Sequence, residues 1–382
     1  MHGEIDTIAY MRPCAFCLFA AVVLVGHGVA QEPVWPVEKA QTWYQKQPWL
    51  VGANFLPSNA INQLEMWQAA TFDPKTVDRE LGWAEQIGMN TMRVYLHDLA
   101  WKQDREGFKR RVLEFLAIAS RHNIRPVLVF FDSCWDPYPK AGPQRAPKPG
   151  VHNSGWVQSP GAEALASDAA VPELEAYIKD VVGAFRNDSR ILAWDLWNEP
   201  DNDNRSSYGN VELKNKSERV QKLLPMVFQW AREARPSQPL TSGVWVGDWS
   251  SDAKLTPIQR TQLGSSDIIT FHNYENVESF QRRIRQLERY GRPMICTEYL
   301  ARGAGSTFQA VLPAAKKHNI GMINWGLVQG KSQTHLPWDS WQKPYVGPEP
   351  AVWHHEIFQP DGSPYRPEET EFLRKITGRG RR

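Results

Sequence analysis

Short apolar runs alternate along the chain with longer stretches in which apolar residues recur every three or four positions. The runs are LVGANF (50–55), NTMRVY (90–95), IRPVLVFF (124–131), ILAWDLWNE (191–199), PLTSGVW (239–245), DIITFH (267–272), PMICTEY (293–299) and IGMINWG (320–326). Their length and their β-branched and aromatic content predict strands. Residues 77–88, 108–123, 173–188, 219–234 and 279–291 have the spacing of amphipathic helices, and 366–377 adds a closing one. Strand–helix alternation builds parallel βαβ units. Eight repeats predict an α/β chain folded as a (β/α)8 TIM barrel, a single domain with long strand-to-helix loops; an open doubly wound sheet is the alternative.

In such a barrel the C-terminal strand ends share one mouth, and the chemistry sits there. The fourth run ends in Asn198 and Glu199, and Pro200, which has no N–H to donate, stops the ladder. A lone glutamate at a strand end is most simply a solvated terminus. Here it recurs: Glu298 ends the seventh run, Arg93 the second, His272 with Tyr274 the sixth, and Trp325 the eighth. Two carboxyls converging on one pocket suit glycosidic bond cleavage, where one protonates the leaving oxygen while the other attacks or activates water. Arg93 and Tyr274 near the attacking carboxylate would hold it ionised, and an apolar wall would keep the acid protonated. Asn198 is placed to hold a sugar hydroxyl. The chain has 17 tryptophans, a high count for 382 residues. Trp67, Trp101, Trp135, Trp156, Trp245, Trp249, Trp338 and Trp341 fall in or beside predicted strand-to-helix loops, where their flat faces suit sugar rings.

WDLWNEP on a fourth strand, TFHNY on a sixth, ICTEY on a seventh and INWG on an eighth resemble glycoside hydrolase clan A, and most of all family 5, the cellulase family. The resemblance covers essentially all of the chain after residue 30. It implies Glu199 as general acid/base and Glu298 as nucleophile of a retaining double displacement, with Arg93, Asn198, His272, Tyr274 and Trp325 around the attacked sugar. One departure stands out. Many members carry a histidine after the third strand, where this chain has FFDSCWD, so Asp132, Ser133 or Trp135 must do that work or it is not done. Loops after strands one, three and eight exceed ordinary connections and are expected to set specificity. Stacked over the mouth they would make an end-trimming pocket, the preferred reading; set apart they would leave a cleft. The substrate class implied is β-1,4-linked, of xylan, mannan or glucan type. A catalytically inactive glycan-binding barrel and a transglycosylase with the same two glutamates are the alternatives.

A net charge of +2, with basic residues scattered apart from the final GRGRR, offers no footprint for nucleic acid or an anionic membrane and favours a neutral oligo- or polysaccharide partner. Arg12, the apolar run 14–30 and the small residues before Gln31 read as a signal peptide over residues 1–30, hence a secreted or periplasmic protein with its catalytic domain at 31–382; Met11 is an alternative start and an uncleaved anchor an alternative fate. Removal of that segment takes Cys14 and Cys17 with it and leaves Cys134 and Cys296 as free thiols. No cofactor and no metal are expected, and the protein is expected to act as a monomer. QGKSQ has Trp325 where a phosphate loop needs its first glycine, ARGAGS lacks GxGxxG, and HHEIF is not HExxH. His97, His152, His335, His354 and His355 show no ligand spacing.

Overall fold

The computed structural model describes residues 1–3 and 33–379; the predicted signal segment, with Cys14 and Cys17, lies outside the described residues. Eight strands form one parallel sheet: β1 Val51–Asn54, β2 Thr91–Tyr95, β3 Arg125–Asp132, β4 Ala193–Asn198, β5 Leu240–Thr241, β6 Ile269–His272, β7 Met294–Glu298 and β8 Gly321–Trp325. Their order runs β5-β4-β3-β2-β1-β8-β7-β6, with helices on every crossover side, so the sheet curls into a nearly closed (β/α)8 barrel.

The fifth strand is where the pattern overreached. Of the predicted 239–245 only Leu240–Thr241 pairs with β4 in register. The chain then leaves the ladder at Ser242 and Gly243, and Val244 makes the backbone bridge to β6: its N–H donates to Thr270 O at 3.1 Å, and its carbonyl accepts from His272 N at 3.0 Å. That bridge closes the barrel. Helices Pro257–Ser265 and Phe308–Lys317 were not predicted. The first is short and depends on a Thr256–Gln259 capping box, and the second carries Pro313 internally, so neither shows a long clean stripe. The lead-in also folds. Helix Val37–Gln45 lays Tyr44 against Leu50, Leu192, Ile268, Ile295 and Ile323 near the N-terminal ends of the strands.

Register is what positions the mouth. Residues at or near the C-terminal ends of the strands pair across the sheet as Asn54 with Arg93, Asn54 with Trp325, Asp132 with Asn198, and His272 with Glu298. The last of these pairs requires an irregularity: Phe271 faces Cys296, so Thr297 is an extra residue in β7. Such a bulge bends a strand and re-aims the side chains after it, here Glu298.

Candidate active site

All seven residues expected at the mouth converge there. Glu298 sits at the centre of a fan of donors. Its Oε1 accepts from Arg93 Nη1 at 2.7 Å and from Tyr95 OH at 2.9 Å, and its Oε2 accepts from Tyr274 OH at 2.7 Å. Burial first, then the Glu298 charge, pushes the Tyr274 phenol well up, so it stays a donor. Arg93 is wholly buried and spreads over the floor: Nε and Nη2 meet Asp195 Oδ2 at 3.0 and 2.8 Å, Nη1 meets Asn54 Oδ1 at 3.0 Å, and Nη2 meets Asn198 Oδ1 at 2.7 Å. Burial works against its charge, and Tyr95, Asp195 and Glu298 more than offset that.

Glu199 follows β4 with φ of +41°, a left-handed backbone that a non-glycine residue holds only when its surroundings insist. Its Oε1 lies 2.9 Å from His272 Nδ1; its Oε2 accepts from Asn202 Nδ2 at 2.7 Å and meets Cys134 Sγ at 3.2 Å. Polar partners, not an apolar wall alone, meet its oxygens. Burial pushes Glu199 up, but the hydrogen bond and charge of His272, then Asn202 and Cys134, outweigh it and leave the carboxyl below its ordinary range. His272 Nδ1 also stands 3.4 Å from Glu298 Oε2, and the acting atoms of Glu199, His272 and Glu298 lie within 4.8 Å of one another. Three such ligands could in principle hold a cation. Arg93 and both tyrosines already engage the Glu298 oxygens, however, so the arrangement is built for moving protons and charge rather than as a metal cage.

The FFDSCWD departure resolves into support. Asp132 Oδ1 accepts from Asn198 Nδ2 at 2.9 Å and from Cys134 N at 3.0 Å, and its Oδ2 accepts from Trp156 Nε1 at 2.6 Å. Burial raises it to about 6 against those bonds. Asn198 is thereby gripped between Asp132 and Arg93, its amide orientation set. Ser133 turns away to donate to Pro200 O, and Trp135, with φ of +70°, enters the pocket wall.

A pocket of about 400 Å³ opens above these groups, within the size range of small-molecule sites. Trp135, Trp245, Trp325, Trp338 and Trp341 line it. Four of the expected aromatic faces do not line this pocket: Trp67, Trp101, Trp156 and Trp249 are buried, with their Nε1 atoms on Tyr95 O, Asp180 Oδ2, Asp132 Oδ2 and Val246 O. Large rings beside loop ends fill the space between helices and barrel as readily as they face solvent. The loops after β3 and β8 are zipped together over the mouth. Gly150 N donates to Gln333 Oε1, His152 N to Ser340 Oγ, Asn153 N to Ser332 O, and Tyr345 N to Gly150 O. They wall off the β8–β1–β2–β3 side. On the other side the rim is open, with Asp203, Arg205 and Val246 exposed.

Sequence reasoning missed Tyr95, Asn54, Asp195, Cys134, Asn202 and His355. Tyr95 was within reach, being two positions after Arg93 and so on the same face of β2. Asn202 and His355 come to the site through loop paths that no periodicity encodes. Among the described residues Cys134 and Cys296 are buried free thiols, as expected.

Residues 150–331 match the model of a known family, Cellulase (glycosyl hydrolase family 5). No curated protein sequence matches the chain. Among solved structures, the exo-β-1,4-mannosidase Op5Man5 from Opitutaceae bacterium strain TAV5 superposes with a TM-score of 0.59 at 17% identity, over 86% of this chain and only 60% of that one. The β-glucosidase 1317 gives 0.57 at 13% identity, over 87% and 98%. The endo-β-1,4-mannanase from Thermotoga petrophila gives 0.55 at 13% identity, over 88% and 77%. At such identities the likeness is one of fold.

Proposed function

From a chain that belongs to glycosyl hydrolase family 5, the cellulase family, we propose a retaining β-glycosidase that removes the terminal sugar from neutral β-linked oligo- or polysaccharides. The observation that carries this is the Glu199–His272–Glu298 unit at the ends of β4, β6 and β7, with acting atoms within 4.8 Å of one another. Carboxyls about 5–5.5 Å apart suit a covalent intermediate, whereas about 6.5–9.5 Å would leave room for an attacking water. In the first step Glu298 Oε2 attacks the anomeric carbon as the glycosidic C–O bond breaks, and Glu199 delivers its proton to the departing oxygen. In the second, Glu199 takes a proton from water, whose oxygen displaces Glu298 and restores the starting configuration.

Glu199 must carry a proton to begin, although in the empty site its neighbours favour the anion. Burial is already the largest single influence on it and acts upward. A sugar that expels the remaining water strengthens that influence, so binding loads the acid, with His272 Nδ1 at 2.9 Å as the adjacent proton partner.

The direction of cutting follows from the walls. In this reading the leaving group lies beside Glu199, toward the open rim after β4 and β5, and the sugar attached to Glu298 lies toward the zipped loops after β3 and β8, whose mutual hydrogen bonds favour a closed end over a continuing cleft. Export through residues 1–30 and action as a monomer belong to the same proposal. Those two parts are checked by sequencing the N-terminus of the exported form and by its mass in solution. The main test is a panel of aryl β-glucosides, β-mannosides and β-xylosides with glucan, mannan and xylan, following product size and anomeric configuration. Release of single sugars with β configuration is expected. First-formed α product would remove the retaining mechanism, and a ladder of internal fragments would remove the end-trimming.

A further inference from the structure

Two histidines outside the strand ends reach the pocket, His152 from the loop after β3 and His355 from the loop after β8. They are 2% and 1% exposed, their rings lie 5.4 Å apart, and both line the pocket. One device holds each of them: His152 Nδ1 is 2.7 Å from Leu336 O, and His355 Nδ1 contacts Leu300 O. A carbonyl oxygen only accepts, so both Nδ1 atoms carry hydrogen, and in a neutral imidazole Nε2 is then a bare acceptor. The rings are neutral because burial pulls His152 down to about 3 and His355 well below its ordinary range. Nε2 of His97, His272 and His354 is sealed off without a partner; Nε2 of His152 and His355 is likewise unbonded by protein but keeps its access to the pocket.

We infer that His152 and His355 read the hydroxyl groups of the terminal sugar, each accepting one O–H at Nε2, and so select glycans that end in an unsubstituted neutral pyranose. This rests on the hydrolase proposal above. The placement fits the sugar that Glu298 attacks: the His355 ring is 5.6 Å from Tyr274 and 6.5 Å from Trp325, the two aromatic residues flanking the nucleophile side. His152 stands 5.5 Å from Trp135 in the wall. Two buried acceptors demand donors. A carboxylate or an acylated oxygen at the same place has no hydrogen to give and would leave both nitrogens and itself desolvated and unpaired. Uronate-ended and acylated chains are therefore excluded. The work that Asp132 does not perform, with both its oxygens committed to protein donors, falls to these two rings.

The test uses 4-nitrophenyl β-glycosides of the preferred sugar and their monodeoxy derivatives on the full chain, with His152→Asn and His355→Asn. Asparagine keeps an N–H for the Leu336 or Leu300 carbonyl and puts no acceptor where Nε2 stood. Each variant is expected to lose about 10- to 100-fold in kcat/KM on the parent glycoside, yet to match the unaltered protein on the one deoxy glycoside lacking the hydroxyl it reads. Equal losses on every glycoside, or none, overturn the inference. A second readout does not need turnover: in ¹⁵N-histidine spectra titrated with free glucose, mannose and xylose, both Nε2 resonances should move upfield while Nδ1 stays. If no glycoside is cut but Nε2 moves, the hydrolase proposal fails and the sugar-reading pair stands. If glycosides are cut while Nε2 is unmoved and the variants behave as the parent, the pair fails alone.

Discussion

Three donors surround Glu298, whereas Glu199 shares its oxygens among an imidazole, an amide and a thiol. Removing the two should therefore do different things. Glu298→Ala deletes the attacking atom and is expected to cost about 10⁴-fold or more in kcat on every glycoside. Glu199→Ala should cost about 10²- to 10⁴-fold on ordinary β-glycosides and much less on aryl glycosides, whose leaving groups need no proton. Steady-state kinetics on both substrate types check this, and full activity in either variant would unseat the assignment. The hydrogen bond from Asn202 makes a further difference visible. An amide donor favours the carboxylate, so its removal raises the Glu199 pKa. Because the first step needs Glu199 protonated, Asn202→Ala should carry the alkaline limb of the kcat/KM profile upward, by up to about one pH unit. A limb that stays or moves down would show that Asn202 does not set it. At this scale the two glutamates and five of their neighbours could be named from the sequence, because strand ends announce themselves. Cys134 and Asn202 could not, since only the turn of the chain after β3 and β4 brings them to Glu199.

The pocket is made by elements as much as by residues. The zip between 150–153 and 332–345 joins two loops over the barrel mouth, and Gly150 is its tightest point: φ is +71°, and a Cβ there would stand 2.5 Å from the Tyr345 carbonyl carbon and oxygen. Gly150→Ala therefore has to part the two loops or strain both. The expected result is a KM for aryl glycosides raised by about tenfold, a loss of about 1.4 kcal/mol of binding, while the unfolding midpoint moves little because the core of the barrel is untouched. Unchanged KM would mean that the zip does not shape the site. The helices and strands were mostly readable from apolar periodicity, and β5 was misjudged for a physical reason. PLTSGVW has strand composition throughout, but whether a residue joins a ladder depends on a neighbour at the right distance, and only Leu240–Thr241 and then Val244 find one.

Across the whole molecule, buried titratable groups set a window of stability. Burial raises Glu80 to about 7 and Glu356 to about 8, and lowers His152 to about 3 and His335 and His354 to about 4. The two carboxyls bind protons more tightly folded than unfolded, so stability falls as pH rises from the ordinary carboxyl range toward 7–8. The three histidines bind them less tightly folded, so stability falls as pH drops below the ordinary histidine value toward 3–4. The opposing slopes cross, and thermal unfolding measured from acid to mildly alkaline buffers should show a maximum at about pH 6–7. A monotonic profile through that range would mean that these groups are not buried as described. Composition and pattern by themselves determined the barrel and which strands end in polar and charged side chains, because a period in the sequence is a local property repeated eight times. Which histidines line the pocket, which tryptophans only pack, and how the loops after β3 and β8 meet over the mouth were decided by the tertiary structure alone. Those outcomes depend on contacts between residues as distant as His152 and Ser340, or Arg93 and Glu298, and no local pattern carries information about a partner so far along the chain.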